Sequence, residues 1–158
     1  MKHVEPIAPF LGPLEKNVAV PRSPAEAFRI FTEGIARWWP LTKFSVSHGR
    51  SKTAQACAFE PFVGGEIYEI DEDGTRSPWG RVVAWDPPSR VAFTWHPGSD
   101  PALAQDIEVT FTQEGKGTQV TLVHSGWQKL GEKGATARLG YGEGWSFVLG
   151  EAYAAACA

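Results

Sequence analysis

Two polar side chains interrupt apolar strand faces in this sequence, and they are its best candidates for chemistry. His124 continues the apolar face formed by Val120 and Leu122, just where its strand ends at Ser125. A neutral imidazole there needs hydrogen-bond partners for both ring nitrogens, or it has a depressed pKa. Three interpretations are open: a satisfied histidine at the rim, a polar contact that orients a ligand, or a general acid and base.

Glu69 is the second candidate, because it shares a strand face with Ile67. If Ile67 points inward, so does Glu69, and a buried carboxylate needs an arginine or histidine near it. Arg81 on the next strand is a candidate partner, and a Glu69–His124 pair would make hydrolysis or cyclisation conceivable. A solvent-facing Glu69 is the alternative. We therefore assign no catalytic residue and keep His124 and Glu69 as candidates.

Other reactive patterns are missing from the sequence. The four histidines show no i, i+4 pair and no neighbouring cysteine, so we predict no metal site. Cys57 and Cys157 are widely separated, and we expect two free thiols rather than a disulfide. The sequence has no phosphate-binding loop and no dinucleotide fingerprint, so we predict no cofactor.

The composition points to an aromatic-rich single domain. The chain has 158 residues, seven Trp, nine Phe, 42% hydrophobic residues and a net charge of −3. Its mild acidity argues against a nucleic-acid partner, which usually selects clustered Lys and Arg. No stretch approaches the roughly 20 apolar residues of a membrane span, and the N-terminus has no apolar signal core. We predict a cytoplasmic protein without a membrane span.

The residue pattern predicts a strand, short helices, six further strands and a long helix. Residues 15–20 form the first strand, and Ser23, Pro24 and Glu26 form a helix N-terminus with a capping box. That helix continues into a second turn near Trp39. Six runs rich in Val, Ile, Phe, Thr and Trp follow, at residues 53–60, 66–71, 79–85, 90–95, 105–112 and 118–125. Their short connections predict an antiparallel meander.

The last segment, residues 133–157, has helical periodicity. Its apolar stripe consists of Tyr141, Trp145, Val148, Leu149, Ala152, Tyr153 and Ala156. Its five glycines each cost about 1 kcal/mol relative to Ala, so packing against the sheet must stabilise it. Gly140, Gly142 and Gly144 either bend the helix or leave open volume for a ligand. In the second case, a large side chain at Gly144 reduces uptake of an apolar probe.

Several phrases, in this order, resemble the START-like (SRPBCC, helix-grip) superfamily, and within it the homologues of the activator of heat-shock-protein ATPase. They occupy residues 61–65, 80–82, 85–90, 93–95 and 124–127. The resemblance covers residues 15–158, which we take as one domain after an extended lead-in at residues 1–14. It implies an α+β fold with a seven-stranded antiparallel sheet curved around the long C-terminal helix. Two short helices follow the first strand, and a cavity lies between sheet and helix.

The superfamily binds lipids, sterols, polyketides and other apolar molecules in that cavity, so the resemblance implies a ligand-binding function. We predict a small-molecule-binding domain that holds an apolar or aromatic ligand, and we favour binding over catalysis. A cyclase or hydrolase with His124 as acid and base is one alternative. A co-chaperone-like module that stimulates a chaperone ATPase is another, and a homodimer stays open.

The predicted ligand-binding residues are those expected to face the cleft, although core packing is the alternative for most of them. They are Trp39, Tyr68, Glu69, Trp79, Phe93, Trp95, Val109, Phe111, Leu122, His124, Tyr141, Trp145, Val148 and Leu149. We interpret the tryptophan excess as the lining of one sheet–helix cleft. The basic run 47–52 either contacts an anionic head group at the cavity mouth or is a solvated loop. The strand phase between residues 53 and 85 stays open.

Overall fold

A seven-stranded antiparallel sheet forms the frame of the molecule, in a computed structural model that describes residues 11–158. The strands are β1 (Leu14–Val20), β2 (Ala54–Phe59), β3 (Glu66–Asp71), β4 (Arg76–Asp86), β5 (Arg90–Trp95), β6 (Gln105–Glu114) and β7 (Gly117–Ser125). Their order in the sheet is β1-β7-β6-β5-β4-β3-β2. The predicted six-strand meander is therefore confirmed, and β1 forms one edge of the sheet by pairing with β7.

Two short helical segments follow β1, as the resemblance implied. Helix α1 spans Pro24–Phe31, and a 3₁₀ turn spans Ile35–Arg37. The Ser23 hydroxyl oxygen accepts a hydrogen bond from the Glu26 backbone N–H at 3.2 Å, so the predicted cap begins α1. Further 3₁₀ turns lie at Ser47–Arg50, Pro101–Leu103 and Trp127–Lys133.

Residues 134–157 form one continuous helix, which we call the C-terminal helix. It consists of α2 (Gly134–Phe147), a π-helical turn (Val148–Tyr153) and α3 (Ala154–Cys157). The predicted apolar stripe faces the sheet, because Trp145, Leu149 and Tyr153 are buried. The Tyr153 hydroxyl donates to the Ala27 carbonyl at 2.7 Å and ties this helix to α1. Together the sheet and helix make the predicted helix-grip fold.

The core lies between the concave sheet face and the helices. The alternation predicted for β5, β6 and β7 is confirmed, because Phe93, Val109, Phe111 and Leu122 are at most 4% exposed. Cys57 and Cys157 are buried free thiols, as expected. The predicted lead-in falls mainly on residues 1–10, which lie outside the described residues. No helix within residues 11–158 is long and apolar enough to cross a membrane.

Candidate functional site

A pocket of about 700 Å³ lies between the sheet, the C-terminal helix and residues 39–50, which we call the pocket loop. Its volume is in the range of small-molecule sites. Six aromatic side chains line it, namely Trp39, Phe44, Trp79, Trp95, Tyr141 and Trp145. The other lining residues are Lys43, Ser45, Val46, Gly49, Arg50, Pro97, Gly98, Ala137, Gly140, Gly144 and Val148. The described residues thus form a concave site that is rich in aromatic side chains.

A close strand contact places the two sheet tryptophans of the pocket. A Cβ atom on Gly80 would lie 1.7 Å from the Thr94 carbonyl oxygen, so β4 and β5 approach this closely only with glycine there. The His96 backbone N–H also donates to the Trp79 carbonyl at 2.6 Å. As a result, the Trp79 and Trp95 rings meet edge to face with centroids 5.7 Å apart.

Trp39 joins the pocket loop to this pair of rings. Its ring centroid lies 4.8 Å from that of Trp79, 5.9 Å from that of Trp95 and 6.0 Å from that of Trp145. Its indole N–H donates to the Phe44 carbonyl at 2.9 Å, which fixes both the ring and the loop. Tilted and edge-on contacts at these distances are favourable for aromatic rings. The four tryptophans of the pocket wall therefore form one connected aromatic cluster.

Glu69 is buried and anchors the pocket loop from behind. Its carboxylate accepts hydrogen bonds from the Val46 N–H at 2.5 Å, the Ser47 N–H at 3.0 Å, the Ser47 hydroxyl at 2.5 Å and the Trp79 indole N–H at 2.8 Å. Burial by itself would raise the pKa of this carboxyl. The hydrogen bonds from Ser47, Val46 and Trp79 outweigh burial and hold that pKa below its usual value.

The prediction that Arg81 is the cationic partner of Glu69 is wrong. The Arg81 guanidinium instead donates to the Gly64 carbonyl at 2.8 Å on an exposed part of the molecule. Four N–H and O–H donors satisfy the carboxylate in place of an arginine or histidine. Ile67 and Glu69 are both completely buried, so this face of β3 points inward and Glu69 does not face solvent.

His124 lies behind the pocket wall, completely buried. Its Nδ1 accepts from the Trp145 indole N–H at 3.0 Å, so the ring proton is on Nε2 and faces the Gln105 side-chain oxygen at 3.3 Å. Burial lowers its pKa to about 3. Both nitrogens are thus satisfied by the protein. The structure does not bring His124 to the pocket or to Glu69, so neither ligand contact nor acid–base catalysis matches its position.

The structure gathers six of the predicted ligand-binding residues at the pocket and places the others elsewhere. Those at the pocket are Trp39, Trp79, Trp95, Tyr141, Trp145 and Val148. Phe93, Val109, Phe111, Leu122 and Leu149 pack in the core instead. Tyr68 lies on the opposite face of β3 from Glu69, with the Arg76 guanidinium 3.5 Å from its ring centroid.

The seven tryptophans lie in two environments, the pocket and the core, rather than in one cleft. Four of the seven tryptophans line the pocket, whereas Trp38, Trp85 and Trp127 pack in or against the core away from it. For example, Trp85 contacts Phe28 with ring centroids 4.9 Å apart. The interpretation of all seven as the lining of one cleft is therefore corrected to a cleft and a core cluster.

Sequence reasoning missed most of the pocket loop. Phe44, an isolated aromatic residue in a polar stretch, was the available signal. At the pocket mouth, Lys43 and Arg50 are exposed. Arg50 is paired with Asp71 at 3.2 Å, and Lys43 lies 4.2 Å from the Phe147 ring centroid. The basic run thus places Arg50 at the mouth, and the expected contact with an anionic head group stays a prediction.

Comparison with known proteins identifies relatives of this chain. The family described as Activator of Hsp90 ATPase homolog 1-like protein matches residues 21–152. No curated protein matches the chain. A solved structure of the anthrahydroquino-γ-pyrone synthase Txn09 is 39% identical, with a TM-score of 0.57 over 80% of this chain and 84% of that one. The self-sacrificing resistance protein CalC from Micromonospora echinospora is 27% identical, with a TM-score of 0.69 over 92% and 94%.

Proposed function

This chain belongs to the Activator of Hsp90 ATPase homolog 1-like family, and we propose that it binds a planar aromatic small molecule in the pocket described above. The observation that carries the proposal is the convergence of six aromatic side chains on one cavity of about 700 Å³. Aromatic faces and edges stabilise a flat π-system by dispersion and by burying its apolar surface. A flexible aliphatic chain gains less from such rings.

The rings are held in place before any ligand arrives. The indole N–H groups of Trp39, Trp79 and Trp145 donate to the Phe44 carbonyl, the Glu69 carboxylate and the His124 imidazole, respectively. Each hydrogen bond restricts the rotamer of its ring. Binding therefore orders few side chains, which lowers the entropic cost of association. A preorganised aromatic wall favours a rigid ligand of matching shape.

The name of one relative supports this ligand class. Txn09 is a synthase of an anthrahydroquino-γ-pyrone, which is a fused and flat aromatic system, and it is 39% identical to this chain. The exposed cation Lys43, which pairs with no carboxylate within residues 11–158, adds a preference for ligands with an acidic substituent.

Isothermal titration calorimetry with anthracene-2-sulfonate, a soluble planar probe, tests the proposal. We expect saturable 1:1 binding that Trp39→Ala weakens by about tenfold or more, because a pocket ring is lost. Trp85→Ala is the matched control, since Trp85 is also half-buried but lies outside the pocket. It should change affinity by less than about twofold. The absence of binding, or an equal loss in both variants, contradicts the proposal.

Ring-forming catalysis on the same ligand class is a second candidate, favoured by the identity to a synthase. Incubation of this chain with the Txn09 substrate, followed by liquid chromatography, tests it. Product formation above the buffer rate supports catalysis, and an unchanged rate contradicts it. The chaperone-directed and homodimer interpretations stay predictions.

A further inference from the structure

A second cavity, of about 590 Å³, lies between the end of α1, the 3₁₀ turn after it and the last turn of the C-terminal helix. It shares no lining residue with the aromatic pocket. Its apolar lining residues are buried or half-buried and form what we call the cavity floor, namely Ile30, Trp38 and Ala156. Its charged lining residues are exposed and form the rim, namely Arg29, Glu33 and Arg37.

Arg29 and Arg37 have side chains without a hydrogen-bond or ion-pair partner within residues 11–158. The other arginines of this range each donate to a carboxylate or to a backbone carbonyl, namely Arg22, Arg50, Arg76, Arg81, Arg90 and Arg138. Glu33 lies at the same rim and forms an ion pair with neither arginine. The two arginines that the described chain leaves unpaired therefore line one cavity.

The carbonyl groups beside the cavity already have donors. The Arg29 carbonyl accepts from the Gly34 backbone N–H at 3.0 Å. The Ile30 carbonyl accepts from the Trp38 indole N–H at 2.8 Å. Since the indole N–H is the only polar group of the Trp38 side chain, the floor offers a ring surface and no free donor. The guanidinium N–H groups at the rim are therefore the donors that a ligand would meet.

The charges at the rim favour a doubly charged anion. Two arginines and one glutamate leave one excess positive charge, in a protein whose net charge is −3. A guanidinium presents a planar fork of N–H donors that matches phosphate oxygens. A phosphate monoester carries nearly two negative charges above its second pKa of about 6, so it balances both guanidiniums. An apolar substituent on that ester would bury its surface on the floor.

We propose that the second cavity binds a small phosphate monoester, with its phosphate on Arg29 and Arg37 and its apolar substituent on Trp38 and Ile30. The proposal does not rest on the proposed function, because the two cavities have no lining residue in common. Glu33 opposes the anion from the same rim, and its carboxylate lowers the affinity that the arginines provide.

Titration of the ¹⁵N-labelled chain with butyl phosphate, at pH 8 and low ionic strength, tests the proposal. We expect a saturable shift of the Trp38 indole N–H signal. Arg29→Gln and Arg37→Gln should each weaken binding by about tenfold, because one charge-assisted contact is lost. Glu33→Gln should tighten binding by about threefold, because a like charge is removed. All three side chains are exposed, so the circular dichroism spectra should match the wild type.

Lys133→Gln is the matched control. It removes one positive charge from an exposed side chain, but Lys133 precedes the C-terminal helix at the end opposite Ala156. Its affinity for butyl phosphate should change by less than about twofold, since the lost charge is distant and screened. Equal weakening in Lys133→Gln and the two arginine variants overturns the site.

Two further probes test the chemistry of the ligand. Butyl sulfate has the same butyl group and a single negative charge, and it should bind about tenfold more weakly than butyl phosphate. Inorganic phosphate lacks the apolar substituent and should also bind more weakly. Equal binding of butyl sulfate overturns the preference for a doubly charged anion, and equal binding of inorganic phosphate overturns the role of the floor. No saturable shift of Trp38, or shifts confined to the aromatic-pocket tryptophans, overturns the proposal as a whole.

Discussion

Glu69 and His124 occupy positions where strand alternation calls for apolar residues, and each supports the pocket from behind. Glu69 accepts hydrogen bonds from the pocket loop and from Trp79, and His124 accepts one from Trp145. Strand phase was enough to predict that His124 points inward, whereas the phase of β3 stayed open and left Glu69 with an inward and a solvent-facing alternative. Their partners could not be predicted, because Val46, Ser47 and Trp145 come from elements that are distant in the chain.

Replacing Glu69 with glutamine tests the anchor. The amide cannot accept from four donors as a carboxylate does, so we expect the free energy of unfolding to fall by about 3 kcal/mol at pH 7. Urea denaturation measures this change. Glu66→Gln is the control on the same strand, where the carboxylate pairs with Arg76 in a partly exposed site. That variant should lose less than about 1 kcal/mol, and equal losses contradict the anchoring role.

The pH dependence of stability tests the buried neutral state of His124. Its pKa in the folded protein is about 3, below the usual value of about 6.5. The unfolded chain therefore binds a proton first as the pH falls, and stability present above pH 6.5 is lost toward lower pH. Between pH 6.5 and 5 we expect a loss of about 1–2 kcal/mol from this group.

His124→Gln should remove that component from urea titrations across the same pH range. Gly150→Leu, which changes no titratable group, is the control and should keep the wild-type slope. An identical slope in His124→Gln and the wild type would show that His124 takes up its proton in the folded protein as readily as in the unfolded chain, which contradicts a buried neutral imidazole.

At the scale of elements, local sequence determined the strands and helix starts, and long-range contacts determined the pocket loop. The runs at Glu66–Asp71 and Arg90–Trp95 were predicted with their observed bounds, because alternation and turn residues are local signals. The pocket loop lacks periodicity. Its place over the cavity depends on Glu69, 23 residues from Val46, and on Trp39 packing against Trp79.

Gly144 on the C-terminal helix tests whether glycine leaves room for a ligand. A Cβ there lies 3.6 Å from the Phe44 ring, so the rest of a leucine side chain must extend into the pocket. Gly144→Leu should weaken binding of anthracene-2-sulfonate by about tenfold or more. The fold should persist, since Leu has a higher helix propensity than Gly.

Gly150→Leu is the matched control on the same helix. A side chain at this exposed position meets open space, and Gly150 does not line the pocket. Its affinity should match the wild type. Unchanged affinity in Gly144→Leu, with an intact circular dichroism spectrum, would contradict a pocket entrance beside this glycine.

At the scale of the whole molecule, the aromatic content serves both the core and the pocket. Composition alone indicated an aromatic-rich interior, and the family resemblance indicated a cavity between sheet and helix. Neither could predict which tryptophans line the pocket and which pack in the core, because Trp38 and Trp39 are neighbours in sequence but have different surroundings. Trp38 donates to the Ile30 carbonyl in the core cluster, and Trp39 lines the pocket.

The seven tryptophan indole N–H signals in a ¹H–¹⁵N correlation spectrum test the central claim most directly. Titration with anthraquinone-2-sulfonate should shift the signals of Trp39, Trp79, Trp95 and Trp145 most, because these rings line the pocket. The signals of Trp38, Trp85 and Trp127 should move least. Saturable shifts confined to the four pocket tryptophans support aromatic binding at this site. A spectrum that does not change, or the largest shifts at Trp38, Trp85 or Trp127, would contradict it.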